Sequence, residues 1–315
     1  FYIKVLRKNY PLALRWQLTD RCPNRCKYCN LWKNPREEMG LEDIKRVLKE
    51  VKKAGTVRIS YSGGEPLLRD DIEEIIFCTK KHGISCSINT CGVLFEKRKK
   101  AIKMLDLVKI SIDGREQTHD LLSGREGAFR EAYFALEKSV EWGVKTVITT
   151  TLTRYNLEDV DYILKLAEKL RIFVAFQPFK IMYKGSKDEN LCPKGEEYKK
   201  TIEKLIKLKK RGFPYLRNSL LSLEHIKDYP EFSPIKCSAG RLFSVVDVDG
   251  TLLPCDRNDG PYYGELPNVL REGFFNAFKK LPRYSCSGCG FLGGKELSFF
   301  MNMKFEGFKF VKSII

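Results

Sequence analysis

Short apolar runs alternate with amphipathic stretches along the first two thirds of the chain. The apolar runs have the length of strands, and the stretches between them repeat apolar residues every three or four positions, as helices do. Strands are predicted near residues 12–19, 56–61, 84–90, 107–112, 144–151 and 172–178. Helices are predicted near residues 41–54, 70–82, 94–104, 126–142, 157–170 and 196–211.

Strands that alternate with helices indicate parallel βαβ units, and six of them predict an α/β fold, a partial (β/α)6 TIM-like barrel. In such barrels the loops that follow the strands build the active site. The expected organisation is an N-terminal extension, the barrel, a linker, a small domain with a β-hairpin and a C-terminal amphipathic segment. These parts cover residues 1–11, 12–211, 212–234, 235–292 and 293–315.

Composition indicates a globular enzyme with a basic surface. The chain of 315 residues is 43% hydrophobic and has a net charge of +17. It contains no apolar run long enough to span a membrane and begins with no signal peptide, so a cytoplasmic location is expected. The charge favours an acidic partner, which could be an acidic substrate, a nucleic acid or an anionic membrane surface.

The eleven cysteines favour metal ligation, because a chain of this length without a secretion signal is not a small disulfide scaffold. Cys22, Cys26 and Cys29 follow the first predicted strand with C-x3-C-x2-C spacing. Three thiolates select zinc or an iron–sulfur cluster and leave one position open. A structural zinc site would be closed by a fourth ligand, whereas an open iron could hold a ligand that takes part in chemistry.

This cysteine motif, with the aromatic Tyr28 before its last member, resembles the signature of the radical S-adenosylmethionine (SAM) superfamily. The segment Ser62-Gly-Gly-Glu-Pro66 after the second strand is similar to the GGE motif of that family. The resemblance implies a [4Fe-4S] cluster on the three cysteines and SAM bound at its open iron. It assigns the methionine amino group to Gly63, Gly64 and Glu65.

Other polar residues fall where predicted strands end. The resemblance implies that Thr90, Ser111 and Asp113 contact the carboxylate, the ribose or nearby groups of SAM, with Tyr28 also at the cofactor site. The alternative is that such residues only form turns. Cys91 stands where relatives often carry Asn, which leaves the role of its loop open.

A second cysteine group lies near the C-terminus. Asp249-Gly250 predicts a β-hairpin that brings Cys237 and Cys255 to one end, and a later C-x2-C pair could complete a site for zinc or an iron–sulfur cluster. The spacing is similar to a shortened SPASM extension, the twitch form, which implies one auxiliary [4Fe-4S] cluster. Its four ligands would be Cys237, Cys255, Cys286 and Cys289.

Besides Cys91, three cysteines remain. Cys78 and Cys86 fit buried apolar positions. Cys192 and His119 are expected near the barrel mouth with no assigned role.

The resemblance implies reductive cleavage of SAM to a 5′-deoxyadenosyl radical that takes hydrogen from a substrate. The auxiliary cluster would assist oxidation or coupling, and a flavodoxin or ferredoxin would supply electrons. An acidic small molecule or a lipid-like compound is the expected substrate. A peptide is less favoured because the residues before the first strand leave no room for a recognition domain.

The C-terminal segment, rich in Phe and Met, predicts either a membrane-surface contact or a helix packed on the barrel. An iron–sulfur electron carrier and a zinc-containing basic binding protein are the non-enzymatic alternatives. A nucleic-acid partner is disfavoured because basic and aromatic residues form no known binding motif.

Overall fold

The fold is built on one mostly parallel sheet. The computed structural model describes residues 10–179, 188–232, 235–255, 265–282 and 291–301. Within them the strands are β1 (Ala13–Thr19), β2 (Arg58–Gly63), β3 (Ser85–Thr90), β4 (Leu107–Ser111), β5 (Thr146–Leu152), β6 (Phe173–Pro178), β7 (Phe243–Val246) and β8 (Leu252–Leu253). Their order in the sheet is β6-β5-β4-β3-β2-β1-β7-β8.

The first six strands pair in parallel, each with its neighbour in the chain. Helices connect them, so the predicted partial TIM-like barrel is confirmed. Parallel pairing places the carboxyl ends of all six strands at one edge, where the loops after β1, β2, β3 and β4 lie together.

Most predicted helices are present with similar bounds. The helices of the described residues are α1 (Leu41–Lys53), α2 (Ile72–Lys81), α3 (Lys99–Met104), α4 (Glu116–Ser123), α5 (Ala128–Glu141), α6 (Val160–Leu170), α7 (Gly195–Lys210), α8 (Leu220–Lys227), α9 (Val269–Glu272), α10 (Phe274–Lys279) and α11 (Leu292–Met301). The helix expected over 94–104 is shorter, and α4, α8, α9 and α10 were not predicted.

Helix α1 illustrates why the amphipathic stretches fold as they do. Its buried residues, Ile44, Val47, Leu48 and Val51, recur at helical spacing, and Glu42 occupies the first turn. An acidic first turn and a basic last turn complement the helix dipole. The helix therefore buries one stripe against the outer face of the sheet.

The two faces of the barrel wall differ in burial. Outward residues such as Trp16, Tyr61 and Ile110 are fully buried beneath the helices. Inward residues such as Ser60, Lys109 and most of their neighbours keep partial solvent contact. Because side chains alternate between faces along a strand, the polar positions of β1 to β6 line the barrel interior.

Residues 212–232, the described part of the expected linker 212–234, form part of the fold. Leu216 makes a parallel bridge with Val174 of β6, and Arg217 N donates to the Val174 carbonyl over 2.8 Å. Leu216 is buried in the main core. Apolar contact with the helices thus fixes a strand-like segment that has too few residues to give a pattern in the sequence.

The predicted hairpin is present as β7 and β8, and it extends the barrel sheet. β7 pairs in parallel with β1, while β8 pairs antiparallel with β7. The strands β7 and β8 therefore share one sheet with the barrel.

Helix α11 packs against the barrel. Lys295, Glu296 and Ser298 are buried, and Glu296 Oε1 accepts a hydrogen bond from Ser219 N over 2.9 Å. Leu292 packs against inward residues of β4, β5 and β6. These contacts agree with the alternative that the C-terminal segment is a helix packed on the barrel, as far as residues 292–301 are concerned. No helix of the described residues is long and apolar enough to cross a membrane.

Candidate active site

The three clustered cysteines lie on a loop that begins where β1 ends. Backbone hydrogen bonds fix this loop to α4: Arg25 N donates to the Ser123 carbonyl over 2.8 Å, and Lys27 N donates to the Leu122 carbonyl over 2.9 Å. The loop therefore stands at the carboxyl edge of the barrel.

The glycine pair after β2 contacts the start of the same loop through the backbone. Gly64 N donates to the Thr19 carbonyl over 2.6 Å, and Glu65 N donates to the Arg21 carbonyl over 2.7 Å. A Cβ at Gly63 would lie 2.2 Å from the Thr19 carbonyl oxygen, and one at Gly64 would lie 2.2 Å from the Arg21 carbonyl oxygen. Only glycine allows this approach.

The Glu65 side chain is buried and directed toward the end of β3. Its Oε1 accepts from Leu67 N over 3.0 Å, and its Oε2 accepts from Cys91 N over 2.7 Å. The Thr90 hydroxyl lies 2.9 Å from both oxygens. Burial raises the pKa of this carboxyl group, whereas these donors lower it. Glu65 therefore fixes Thr90 and the Cys91 loop.

Tyr28 and Asp113 connect the cysteine loop to the end of β4. The Tyr28 hydroxyl donates to Asp113 Oδ2 over 2.5 Å, and Thr151 N donates to Asp113 Oδ1 over 2.8 Å. Burial raises the pKa of Asp113 to about 6 and raises that of Tyr28 as well. Asp113 is buried, and its hydrogen bond fixes the position of the Tyr28 side chain.

The environment of the thiols differs across the loop. A hydrogen bond with Cys91 lowers the pKa of the Cys22 thiol, whereas burial raises the pKa of Cys26 and of Cys29. The same hydrogen bond, followed by burial, raises the pKa of Cys91. Cys91 is therefore a neighbour of Cys22, a contact that the sequence alone did not identify.

The three cysteines of the loop supply soft donors of the kind that an iron–sulfur cluster requires. No three His, Cys, Asp or Glu side chains of the described ranges converge closely enough to hold one metal ion. A cubane does not require such convergence, because each cysteine binds a different iron. The soft sulfur donors, together with their position on one loop, therefore suit an iron–sulfur cluster.

Two further predicted residues face the same region. Ser111 ends β4 and keeps partial solvent contact. His119 is buried in α4, where its Nδ1 accepts from Asp113 N over 3.0 Å and its Nε2 lies 3.2 Å from Ser123 Oγ. Burial lowers the pKa of His119 to about 4. His119 therefore supports the Asp113 turn as a neutral ring.

The second candidate site lies at the opposite edge. Cys237 is exposed and Cys255 is buried, while Cys286 and Cys289 lie outside the described residues. A Cβ at Gly240 would lie 3.2 Å from Pro254 Cβ, so the segments that carry Cys237 and Cys255 meet. They meet where β7 begins. Because β7 is parallel to β1, this edge is about 20 Å, the length of β1, from the Cys22 loop.

Of the remaining cysteines, Cys86 is buried in β3 and Cys78 packs partly buried against the core, as expected. Cys192 packs partly buried against the same apolar cluster as Tyr28, which places it beside the cysteine loop.

Comparison with protein families gives one match, the Radical SAM superfamily, over residues 16–167. This range contains the cysteine loop, the glycine pair and the ends of the strands β3 and β4. A curated relative, the Fe-coproporphyrin III synthase of Methanosarcina barkeri (strain Fusaro / DSM 804), is 30% identical over 210 residues, which are 63% of this chain and 53% of the relative. The matched region therefore spans about half the length of that relative.

Solved structures share the fold over a longer range. Streptococcus suis SuiB bound to S-adenosylmethionine matches 87% of this chain and 67% of its own with a TM-score of 0.70 and 18% identity. Native anSMEcpe with bound AdoMet and a Cp18Cys peptide matches 86% of this chain and 80% of its own with a TM-score of 0.68 and 21% identity. At these identities the likeness establishes the fold.

Proposed function

Because residues 16–167 match the Radical SAM superfamily, we propose that the chain is a radical SAM enzyme that cleaves S-adenosylmethionine reductively and takes hydrogen from a substrate inside the barrel. When bound, the [4Fe-4S] cluster supplies the electron that splits SAM into methionine and a 5′-deoxyadenosyl radical. Cys22, Cys26 and Cys29 would hold this cluster.

The observation that carries the proposal is the backbone contact between the glycine pair and the cysteine loop. The hydrogen bonds from Gly64 N and Glu65 N to the Thr19 and Arg21 carbonyls place the two motifs at one point of the barrel edge. A ligand bound at the cysteines would therefore also meet the partly exposed residues Gly63 and Gly64. A fixed site of this kind positions a reactive group without reorganisation.

The surrounding residues have distinct tasks in this proposal. Glu65 holds Thr90 in place, so the segment 63–65 would contact the methionine end through its backbone. Ser111 is partly exposed at an inward position of β4, where it would contact SAM or substrate. Tyr28 and Asp113 are hydrogen-bonded to each other. They would hold the cysteine loop in position and exclude water around the cluster.

An auxiliary [4Fe-4S] cluster on Cys237, Cys255, Cys286 and Cys289 is part of the proposal. The meeting of the Cys237 and Cys255 segments supports it. Its place at the far edge of the barrel suits a group that takes an electron from the substrate rather than one that binds SAM. Zinc at these cysteines is the alternative, and metal analysis distinguishes the two.

The net charge of +17 supports an acidic redox protein, such as a flavodoxin or ferredoxin, as the electron donor. It also favours an acidic small molecule as substrate. A peptide is the second candidate, because SuiB has been solved with its precursor peptide SuiA on a related fold. A cytoplasmic location belongs to the same proposal.

The test uses the full chain after anaerobic reconstitution. Iron, sulfide and zinc are counted in the wild type, in a Cys22/Cys26/Cys29→Ala variant and in a Cys78→Ala control, whose cysteine lies in α2 away from the site. We expect about eight irons in the wild type and the control, and about four in the triple variant. With dithionite and SAM, 5′-deoxyadenosine should form in the wild type and control only.

Two results would contradict the proposal. Zinc in place of iron at the Cys22 loop would remove the electron source. An iron-loaded wild type that forms no 5′-deoxyadenosine would exclude reductive cleavage and favour an electron carrier.

A further inference from the structure

The interior of the barrel holds a group of cationic side chains that the proposed chemistry at the mouth does not use. Arg15 of β1, Arg58 of β2 and Lys109 of β4 occupy inward positions of the wall and keep partial solvent contact. Arg217, on the strand-like segment beside β6, is close enough to act on Lys109 and to be acted on by Arg58. These four cations, Arg15, Arg58, Lys109 and Arg217, are the interior cluster.

The interior cluster is continuous with the SAM-binding edge. Arg15 Nε donates to Ser62 Oγ over 2.7 Å, and Ser62 directly precedes the glycine pair. Lys109 Nζ donates to Ser60 Oγ over 2.9 Å, one inward position deeper on β2. Polar side chains therefore lead from the mouth to the cations, which lie between the two candidate cysteine sites.

Burial and the neighbouring cations lower the pKa values of Lys109 and Arg217. Burial, followed by Arg58, Arg217 and Arg15, lowers the pKa of Lys109 well below its usual range. Burial lowers the pKa of Arg58 to about 10, and burial followed by Arg58 lowers that of Arg217 to about 10. Like charges held together in a poorly solvated space are costly unless an anion compensates them.

Two carboxylates of the described residues act on this group, Asp106 on Arg58 and Glu296 on Arg217. Asp106 raises the pKa of Arg58, yet it lies 2.6 Å from Lys80 Nζ and accepts from Cys86 N over 2.8 Å. Glu296 raises the pKa of Arg217 and accepts from Ser219 N. No carboxylate acts on Lys109 in the described part of the chain. Among the described residues, Arg58 and Lys109 therefore have only Asp106 between them, and Lys80 binds that carboxylate as well.

We propose that the interior cluster seats the acidic end of the substrate, a group of two or more oxyanions such as carboxylates or phosphates. The proposal rests on the proposed function, because the substrate would place its reacting carbon at the SAM edge and its acidic end deep in the barrel. Guanidinium and ammonium groups bind such oxyanions through charge-assisted hydrogen bonds.

The experiment measures binding by calorimetry to the reconstituted protein, without oxygen, with saturating SAM and at constant ionic strength. The probes are tricarballylate, inorganic phosphate and the uncharged tricarballylamide. The variants are Lys109→Met, Arg58→Met and the control Lys103→Met, which removes the same charge from an exposed position of α3. Iron content and melting temperature report whether each variant folds.

We expect tricarballylate to bind at least tenfold more weakly to Lys109→Met and to Arg58→Met, and to bind Lys103→Met within twofold of wild type. Lys109→Arg should restore binding. The triamide should not bind. Tighter binding of phosphate than of tricarballylate would identify the seat as a phosphate site, and the reverse would identify a carboxylate site.

The proposal is overturned if neither anion binds the wild type at millimolar concentration. It is also overturned if Lys109→Met and Lys103→Met lose binding equally, because general surface charge would then explain the binding. Formation of 5′-deoxyadenosine in the wild type tests the proposed function separately. Anion binding that depends on Lys109 in a protein unable to cleave SAM would support the seat and contradict the enzyme.

Discussion

Arg36 Nη2 donates to Asp247 Oδ1 over 2.7 Å, although 211 residues separate the two in the chain. The same guanidinium binds Asp20, which stands two residues before Cys22, through Nε over 2.8 Å. Asp20 and Asp247 have side-chain exposures of only 1% and 3%. Arg36 therefore ties the start of the cysteine loop to the hairpin that leads toward Cys255.

Replacing Arg36 with Met should leave two buried carboxylates without their cation. We expect a loss of about 3–5 kcal/mol in the free energy of unfolding, since removing one partner of a buried pair is strongly destabilising. Anaerobic urea unfolding measures it. Arg46→Met is the control, because Arg46 pairs with Asp43 on an exposed surface and should change stability by less than about 1 kcal/mol. Equal losses of stability in both variants would show that the buried ion pairs of Arg36 stabilise the fold no more than an exposed ion pair does.

Replacing Gly64 with Ala should separate the glycine pair from the cysteine loop. The new Cβ would lie 2.2 Å from the Arg21 carbonyl oxygen, so one backbone segment must shift. We expect SAM affinity to fall at least tenfold and stability to fall by about 3 kcal/mol or more.

Gly143→Ala is the matched control for that substitution. Gly143 has a φ of +68° and no atom within 4 Å of an added Cβ, so only backbone conformation should cost about 1–2 kcal/mol. SAM affinity should not change in this control. A Gly64→Ala protein that binds SAM like the control would contradict the importance of the close approach.

Replacing Cys91 with Ala tests whether the neighbour of Cys22 is a ligand. Since Cys22, Cys26 and Cys29 would supply the three thiolates, iron content should stay at the wild-type value in Cys91→Ala and fall by about four atoms in Cys22→Ala. Because the Cys91 hydrogen bond lowers the pKa of Cys22, alkylation of Cys22 in the cluster-free protein should also slow in Cys91→Ala. Loss of iron in Cys91→Ala would make Cys91 a ligand.

His119 should make stability depend on pH. Its folded pKa of about 4 lies below the ordinary value of 6.5, so the unfolded chain binds more protons between these values. The free energy of unfolding should therefore fall by about 3 kcal/mol through this group as pH drops from about 6.5 to 4.

Asp113 acts in the opposite direction, because its raised pKa of about 6 lets the folded state keep a proton that the unfolded state loses. The difference between wild type and His119→Asn isolates the histidine. Urea unfolding at several pH values should show a smaller fall in the free energy of unfolding on acidification in His119→Asn than in the wild type. His82→Asn is the control. The same pH slope in all three proteins would show that His119 is solvated.

The repeating part of the fold could be predicted from the sequence. Six strands and the helices between them follow from apolar periodicity, because each helix needs one apolar stripe and each wall strand one buried face. The cysteine spacing and the Gly63-Gly64-Glu65 segment also identified the candidate site, since their residue types leave few other uses.

The contacts of the site could not be predicted in this way. The neighbours Cys22 and Cys91, like Arg36 and Asp247, are brought together by strand order and by loops that carry no periodic pattern. The strand-like segment at Leu216 escaped notice because a few residues give too weak an alternation. Its place is decided by burial against the helices.

The sequence by itself determined the barrel, the cysteine loop and the glycine pair, because periodicity and close spacing are local properties. Only the tertiary structure decided that β7 joins β1 in the barrel sheet, that α11 packs against the barrel, and that Lys109 meets Arg58 and Arg217 inside the barrel. Those relationships depend on which strands become neighbours, and long-range burial of apolar surface decides that choice.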